Sequence, residues 1–237
     1  MQLPGSMMGV GERADEVRRA EIERRVEKDI DRVAFFSDAI FAIAITLLVL
    51  RISVPPLSEG LSEGLIRRLP SFLMYVVSFY VIGVFWLKHH KTFRYIRAYD
   101  HRLITLDLFL MMCIAFLPYP TELLGRHSTQ VVAVVLYAAT VVVTGVASTG
   151  IWWYAARKGF LDDELSREEI RAFTRSGLLQ HGVFLISIPL AFIDPTVAMV
   201  FWASGVAIRP IDRYVARRRR ARAKPDEGAR PTAGGNP

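Results

Sequence analysis

The sequence predicts an all-α membrane protein, a six-transmembrane-helix bundle, and three observations carry that reading. Hydrophobic residues make up 52% of the chain and the mean hydropathy is +0.28. The charged residues, 22% of the total, fall in blocks between apolar runs, as in a chain that crosses a bilayer repeatedly; a soluble core would interleave them. The basic residues are also one-sided. With six spans, all but four of the 30 lysines and arginines lie on one side, and the other side keeps Arg51, Arg67, Arg68 and Arg126. The positive-inside rule then puts both termini in the cytoplasm of a multi-pass protein of the cell membrane.

The elements follow in order. Residues 1–32 alternate acids and bases at helical spacing, for instance Glu21 with Arg25, and predict a solvated cytoplasmic helix leading into the first span. That segment is too charged from Glu12 to Arg32 for a cleaved signal peptide. Residues 33–215 form the transmembrane domain. Five of its runs reach or approach the ~20 residues that a helix needs to cross the hydrocarbon layer. They are Val33 to Pro55, Leu69 to Leu87, Leu103 to Leu124, Val131 to Ala156 and Phe173 to Ile193. The sixth, Pro195 to Val215, is uncharged only as far as Ile208, leaving Arg209 and Arg213 to snorkel toward the headgroups. A five-span count would export the basic run Arg217 to Arg222, so it is rejected. Residues 216–237 are a basic and then disordered cytoplasmic tail, whose arginines suit anionic lipid and orientation, not nucleic acid.

Chemistry concentrates in the first span, where Asp38 and Thr46 interrupt an apolar helix. A carboxylate at membrane depth costs a few kcal/mol even on lenient scales, so it faces protein or water. At ~100° per residue, Ile43, Leu47 and Leu50 share one stripe, Thr46 lies about 60° to its side and Asp38 about 140° away. Asp38 therefore turns into its own bundle. Its candidate partners near the cytoplasmic boundary are Ser37 on the same helix, Trp86, His89 and His90 in the second span, and Asp107 in the third. An indole or imidazole N–H donated to Asp38 offsets its desolvation, with Ser37 helping.

Other chemistry finds little support. His89 and His90 are adjacent and point ~100° apart on a helix, so they cannot chelate a metal as an i, i+4 pair does. No nucleophile triad, Gly-rich phosphate loop or His-Glu-x-x-His occurs, so neither an enzyme nor a cofactor is expected. Cys113 lies within an apolar run and is read as a small buried hydrophobe. Gly145 to Gly150 supply small residues for close helix packing, and His181 is read as a satisfied interhelical hydrogen-bond partner.

Arg32, Phe36, Ser37 and Asp38 form an Arg-x-x-x-Phe-Ser-Asp run that resembles the signature of the prokaryotic transmembrane protein 175 family, relatives of the potassium channel of animal endosomes and lysosomes. Val84-Phe-Trp86-Leu-Lys-His89-His90 resembles that family's second-span Trp-and-His element, and Phe116-Leu-Pro118-Tyr-Pro120-Thr121 its third-span Pro-x-Pro-Thr element. Past Leu124 only the layout is similar. The resemblance implies a potassium-selective channel, a homotetramer with the first helix of each subunit lining a central pore, and potassium as the permeant ion. Arg32, Ser37, Asp38, Trp86, His89, His90 and Asp107 then become a polar network that holds the pore helix in place.

Selectivity needs its own physical account, because no Thr-Val-Gly-Tyr-Gly filter is present and no acid falls on the Ile43 stripe. Four copies of Ile43, Leu47 and Leu50 around an axis leave an apolar neck that forces an ion to shed water. Potassium, more weakly hydrated than sodium, is favoured, and Thr46 hydroxyls can replace some of the lost water oxygens. From the residues alone, the stripe also suits lipid or another helix. A proton-coupled transporter or a non-conducting scaffold are the alternatives, although no pair of broken helices in matching halves marks a transporter.

Overall fold

The computed structural model describes residues 7–56 and 58–207, and these are helical nearly throughout, with one isolated bridge between Ile96 and Leu161. The charged lead-in and the first span are a single helix, α1 (Met7–Leu50). Its buried positions, Ile30, Ser37, Phe41, Ala44 and Leu48, recur at spacings of three, four and seven and form the seam that packs on the rest of the protomer. The helix stops at Leu50, short of the Pro55-Pro56 pair, and a short helix, α2 (Leu61–Arg67), precedes the second span.

The second span, α3 (Leu69–Tyr95), continues past Leu87, so Trp86, His89 and His90 all stand on regular helix. The third expected span is broken. α4 (His101–Phe116) ends where Leu117 bonds back to the Ile114 carbonyl at 3.2 Å, and α5 (Pro118–Arg126) starts anew. The cause is local: Pro118 and Pro120 bring no N–H, a loss that is harmless only in the first turn of a helix. α6 (Val131–Lys158) closes on Gly159, whose φ of 69° is left-handed and suits glycine. α7 (Arg167–Ala191) begins before the expected Phe173, because Ser166 and Glu169 form a reciprocal capping box. α8 (Pro195–Ala207) follows directly.

Among the described residues, four helical stretches are long and apolar enough to cross a bilayer: Arg13–Leu50, Leu69–Tyr95, His101–Arg126 and Val131–Lys158. The chain is thus a multi-pass helical membrane protein. α8 has 13 described residues, short of the ~20 needed for a span. The second half of the expected sixth span, the basic run Arg217 to Arg222 and the tail lie outside the described residues.

Packing places α1 against α3, α4 and α5, with α6 behind α4 and α7 and α8 stacked on α6. At the charged end, Tyr99 donates to Asp29 at 2.8 Å and ties the lead-in of α1 to the turn between α3 and α4. The same turn pairs with the segment after α6 through Arg97 and Asp162, 2.8 Å apart. The Glu164 backbone N–H, and then Arg97, hold the Asp162 carboxyl below the usual carboxylate range.

Candidate functional site

α1 presents two faces of opposite kind. Ser37, Phe41, Ala44 and Leu48 are at most 1% exposed, whereas Ile43 is 57%, Leu47 36% and Leu50 76% exposed. The stripe named from the sequence therefore faces away from its own protomer. Thr46 is also exposed, and its hydroxyl donates to the Ile43 carbonyl at 2.9 Å, which leaves the oxygen lone pairs open to an outside donor or cation. Ala42 shares this exposed face, while Ile45 turns back toward the core.

The polar residues behind α1 divide into two separate sets instead of the single cluster expected. In the first, the Trp86 indole N–H donates to Asp38 Oδ1 at 2.9 Å, and the exposed His90 ring stacks on Trp86 with centroids 5.6 Å apart. In the second, Asp107 is the hub. Ser37 Oγ donates to its Oδ2 at 2.7 Å, and His89 Nε2 lies 2.8 Å from its Oδ1, with Asp107 and His89 both 2% exposed. The Phe41 and Phe93 rings flank the His89 imidazole.

Ser37 supports Asp107 and not Asp38, because neighbouring residues on a helix point ~100° apart and so address different helices, α4 and α3 respectively. His89 likewise bonds Asp107. Arg32 is exposed, and no ion pair or hydrogen bond joins it to either set among the described residues. His181 also departs from its expected role: it is 6% exposed, neither ring nitrogen has a partner among the described residues, and its ring stacks flat on Phe85. Gly145 permits this arrangement, since a Cβ there would overlap the His181 ring.

A third set was not read from the sequence. Thr121 donates to Ser78 at 2.9 Å, and the Ser78 hydroxyl is 3.0 Å from that of Tyr137, all within buried surroundings. These bonds join α3, α5 and α6 just where the third span breaks. Ser78 and Tyr137 sit singly in apolar helices, so spacing carries no signal of their meeting; only Thr121 stood in a recognisable element.

Comparison with known proteins decides what this arrangement belongs to. A potassium channel of Chamaesiphon minutus is 33% identical over 181 residues, an alignment that takes in 73% of this chain and 89% of that protein. The chain belongs to the TMEM175 family. The family profile described as endosomal/lysosomal potassium channel TMEM175 matches residues 32–118, the stretch that holds Ser37, Asp38, Trp86, His89 and Asp107. A potassium channel of Streptomyces collinus is 41% identical over 138 residues, covering 56% of this chain and 67% of its own. The crystal structure of a lysosomal potassium-selective channel TMEM175 homolog from Chamaesiphon minutus superposes with a TM-score of 0.69 at 31% identity, over 76% of this chain and 96% of that one. The family profile and these relatives describe ion channels, not enzymes.

Proposed function

We propose that this TMEM175-family protein is a potassium-selective channel of the cell membrane, passing potassium down its gradient through an apolar neck. In this reading it is a six-span subunit with both termini cytoplasmic, and four copies assemble with α1 around a central axis. The observation that carries it is the exposure of Ile43, Leu47 and Leu50 on α1, opposite the buried seam of Ser37, Phe41, Ala44 and Leu48. An apolar face so exposed in a membrane protein meets lipid or another subunit, and membership of a channel family favours the second. The relatives named as potassium channels support the choice of ion.

The mechanism follows from hydration. A narrow ring of Ile43 and Leu47 side chains offers no oxygen to replace lost water, so entry is easier for the ion that holds its shell less tightly. The Thr46 oxygens, beside the ring, supply partial compensation. The two polar sets behind α1 carry no ion; Trp86 with Asp38, and Ser37 with Asp107 and His89, fix the helix so that the neck keeps its width.

The test is the reversal potential under bi-ionic potassium and sodium with purified protein in lipid bilayers. Wild-type protein is expected to pass potassium in preference to sodium without any counter-substrate. Ile43→Asn and Leu47→Ser wet the neck, so total current should rise and discrimination against sodium should fall. Thr46→Val keeps the shape, removes the oxygen and should lower the potassium preference. Robust current with unchanged selectivity in both stripe variants overturns the apolar neck.

A further inference from the structure

At the end of α1 opposite its charged lead-in, Arg51 follows Leu50 directly, and in a tetramer built on α1 four Arg51 side chains would stand at the mouth of the conduction path. Four guanidinium groups there would repel the cations the path is meant to admit. The C-terminal end of α1 carries the negative end of the helix dipole, which would draw in a permeant cation, and an unpaired arginine there offsets that attraction. The structure shows where Arg51 goes instead. Its Nη1 lies 3.2 Å from Glu122 Oε2 on α5, with the Arg51 side chain itself still 47% exposed. The other oxygen of Glu122 accepts from Arg126 Nη2 at 2.9 Å, one helical turn along α5. The Glu122 side chain is only 22% exposed, so its carboxylate is held in place between the two arginines.

The charge count at this end makes Glu122 the sensitive position. Arg67 pairs with Glu63 and Arg68 with Glu59, but Arg51 and Arg126 share Glu122. Neutralising Glu122 would free two positive charges per subunit, one of them beside the exposed Leu50.

We propose that Glu122 is a positioning residue for conduction: it draws the Arg51 guanidinium toward α5 and keeps the mouth of the pore from being ringed with positive charge. The proposal rests on the reading of α1 as the pore helix of a tetramer. It predicts an electrostatic effect on throughput, not on ion choice, because the neck at Ile43 and Leu47 is untouched.

Single-channel conductance of the full chain in planar bilayers tests it, with potassium chloride on the Arg51 side at ~0.1 M and then at ~1 M, where the screening length falls from ~10 Å to ~3 Å. Glu122→Gln should lower potassium conductance at the lower salt by about twofold or more and approach wild type at the higher. The double variant Arg51→Gln/Glu122→Gln should conduct like wild type at both, and Arg51→Gln alone should not fall below it. The potassium-to-sodium reversal potential should stay constant throughout. Should Glu122→Gln fail to assemble, Glu122→Asp replaces it: one methylene shorter, it keeps the charge but loosens its hold on Arg51, and a smaller low-salt deficit, again removed by Arg51→Gln, is expected. Wild-type conductance at low salt in the Glu122 variant, or a deficit that persists in the double variant, overturns the proposal. Failure of the pore reading looks different, since Ile43→Asn and Leu47→Ser would then leave selectivity unchanged; failure of this proposal alone keeps those two effects and removes only the low-salt deficit of Glu122→Gln.

Discussion

Gly145 and His181 show how one missing side chain sets the contact between two helices. The His181 ring occupies the space that a Cβ on Gly145 would need, and it lies parallel to Phe85, at an interplanar angle of 11° and a centroid distance of 5.5 Å. The ring is held by shape, since neither nitrogen has a hydrogen-bond partner among the described residues. Gly145→Ala should therefore destabilise the α6–α7 contact by about 1–3 kcal/mol, the usual cost of overpacking a buried site. The double variant Gly145→Ala/His181→Ala should recover much of that loss, because the ring that clashes is gone. Thermal unfolding of purified protein in detergent measures both. A Gly145→Ala protein as stable as the parent, with His181 in place, would show that the ring does not sit there.

At the scale of elements, three helices meet on one carboxylate. Asp107 on α4 takes Ser37 from α1 and His89 from α3, so each partner depends on the other to keep the buried carboxyl group hydrogen-bonded. Ser37→Ala and His89→Gln should each destabilise the protein, and their combined effect should differ from the sum by ~0.5–3 kcal/mol, as for neighbours in one network. A double-mutant cycle on unfolding temperature reads this, and strict additivity would mean that Asp107 is not shared. The sequence exposed the ingredients of this junction and not its wiring. Helical periodicity placed Ile43, Leu47 and Leu50 on one face and Asp38 on another, because that relation is internal to a helix. Which carboxylate Ser37 meets depends on the rotation of α4, and no local signal encodes that rotation. The break at Leu117 is a second instance: an unbroken run over 103–124 follows from hydropathy, but Pro118 and Pro120 divide it. The meeting of Ser78, Thr121 and Tyr137 involves three elements and was invisible for the same reason as the Ser37 bond. Past Leu124 hydropathy marks α6 and most of α7 but misreads His181, since a histidine among apolar residues does not announce whether shape or hydrogen bonding holds it.

For the whole molecule, the distribution of burial says which helices remain to be covered. Only 22% of the apolar window of α1, and the same share of α3, is buried within the protomer, against 50% for the α4–α5 stretch and for α6. The inner helices are thus covered to a larger share by the chain itself, while α1 and α3 leave most of their apolar windows to lipid or another subunit. Assembly through α1 and assembly through α3 predict different thiol chemistry, and the single native cysteine, Cys113, is buried and so silent in such a test. Leu47→Cys and Leu50→Cys place thiols on the face assigned to the pore, and Val76→Cys places one on the exposed face of α3, where Val76 is 60% exposed. A charged, water-soluble thiol reagent reacts only where water reaches. Around a fourfold axis the Leu47 thiols would also converge on one point, where a soft divalent cation such as cadmium binds several thiolates at once. Potassium current through Leu50→Cys should therefore be blocked by the reagent, and current through Leu47→Cys by cadmium, while Val76→Cys remains insensitive to both because lipid covers it. Block of Val76→Cys with the α1 variants untouched would move the conduction path to α3 and leave the helical fold as described.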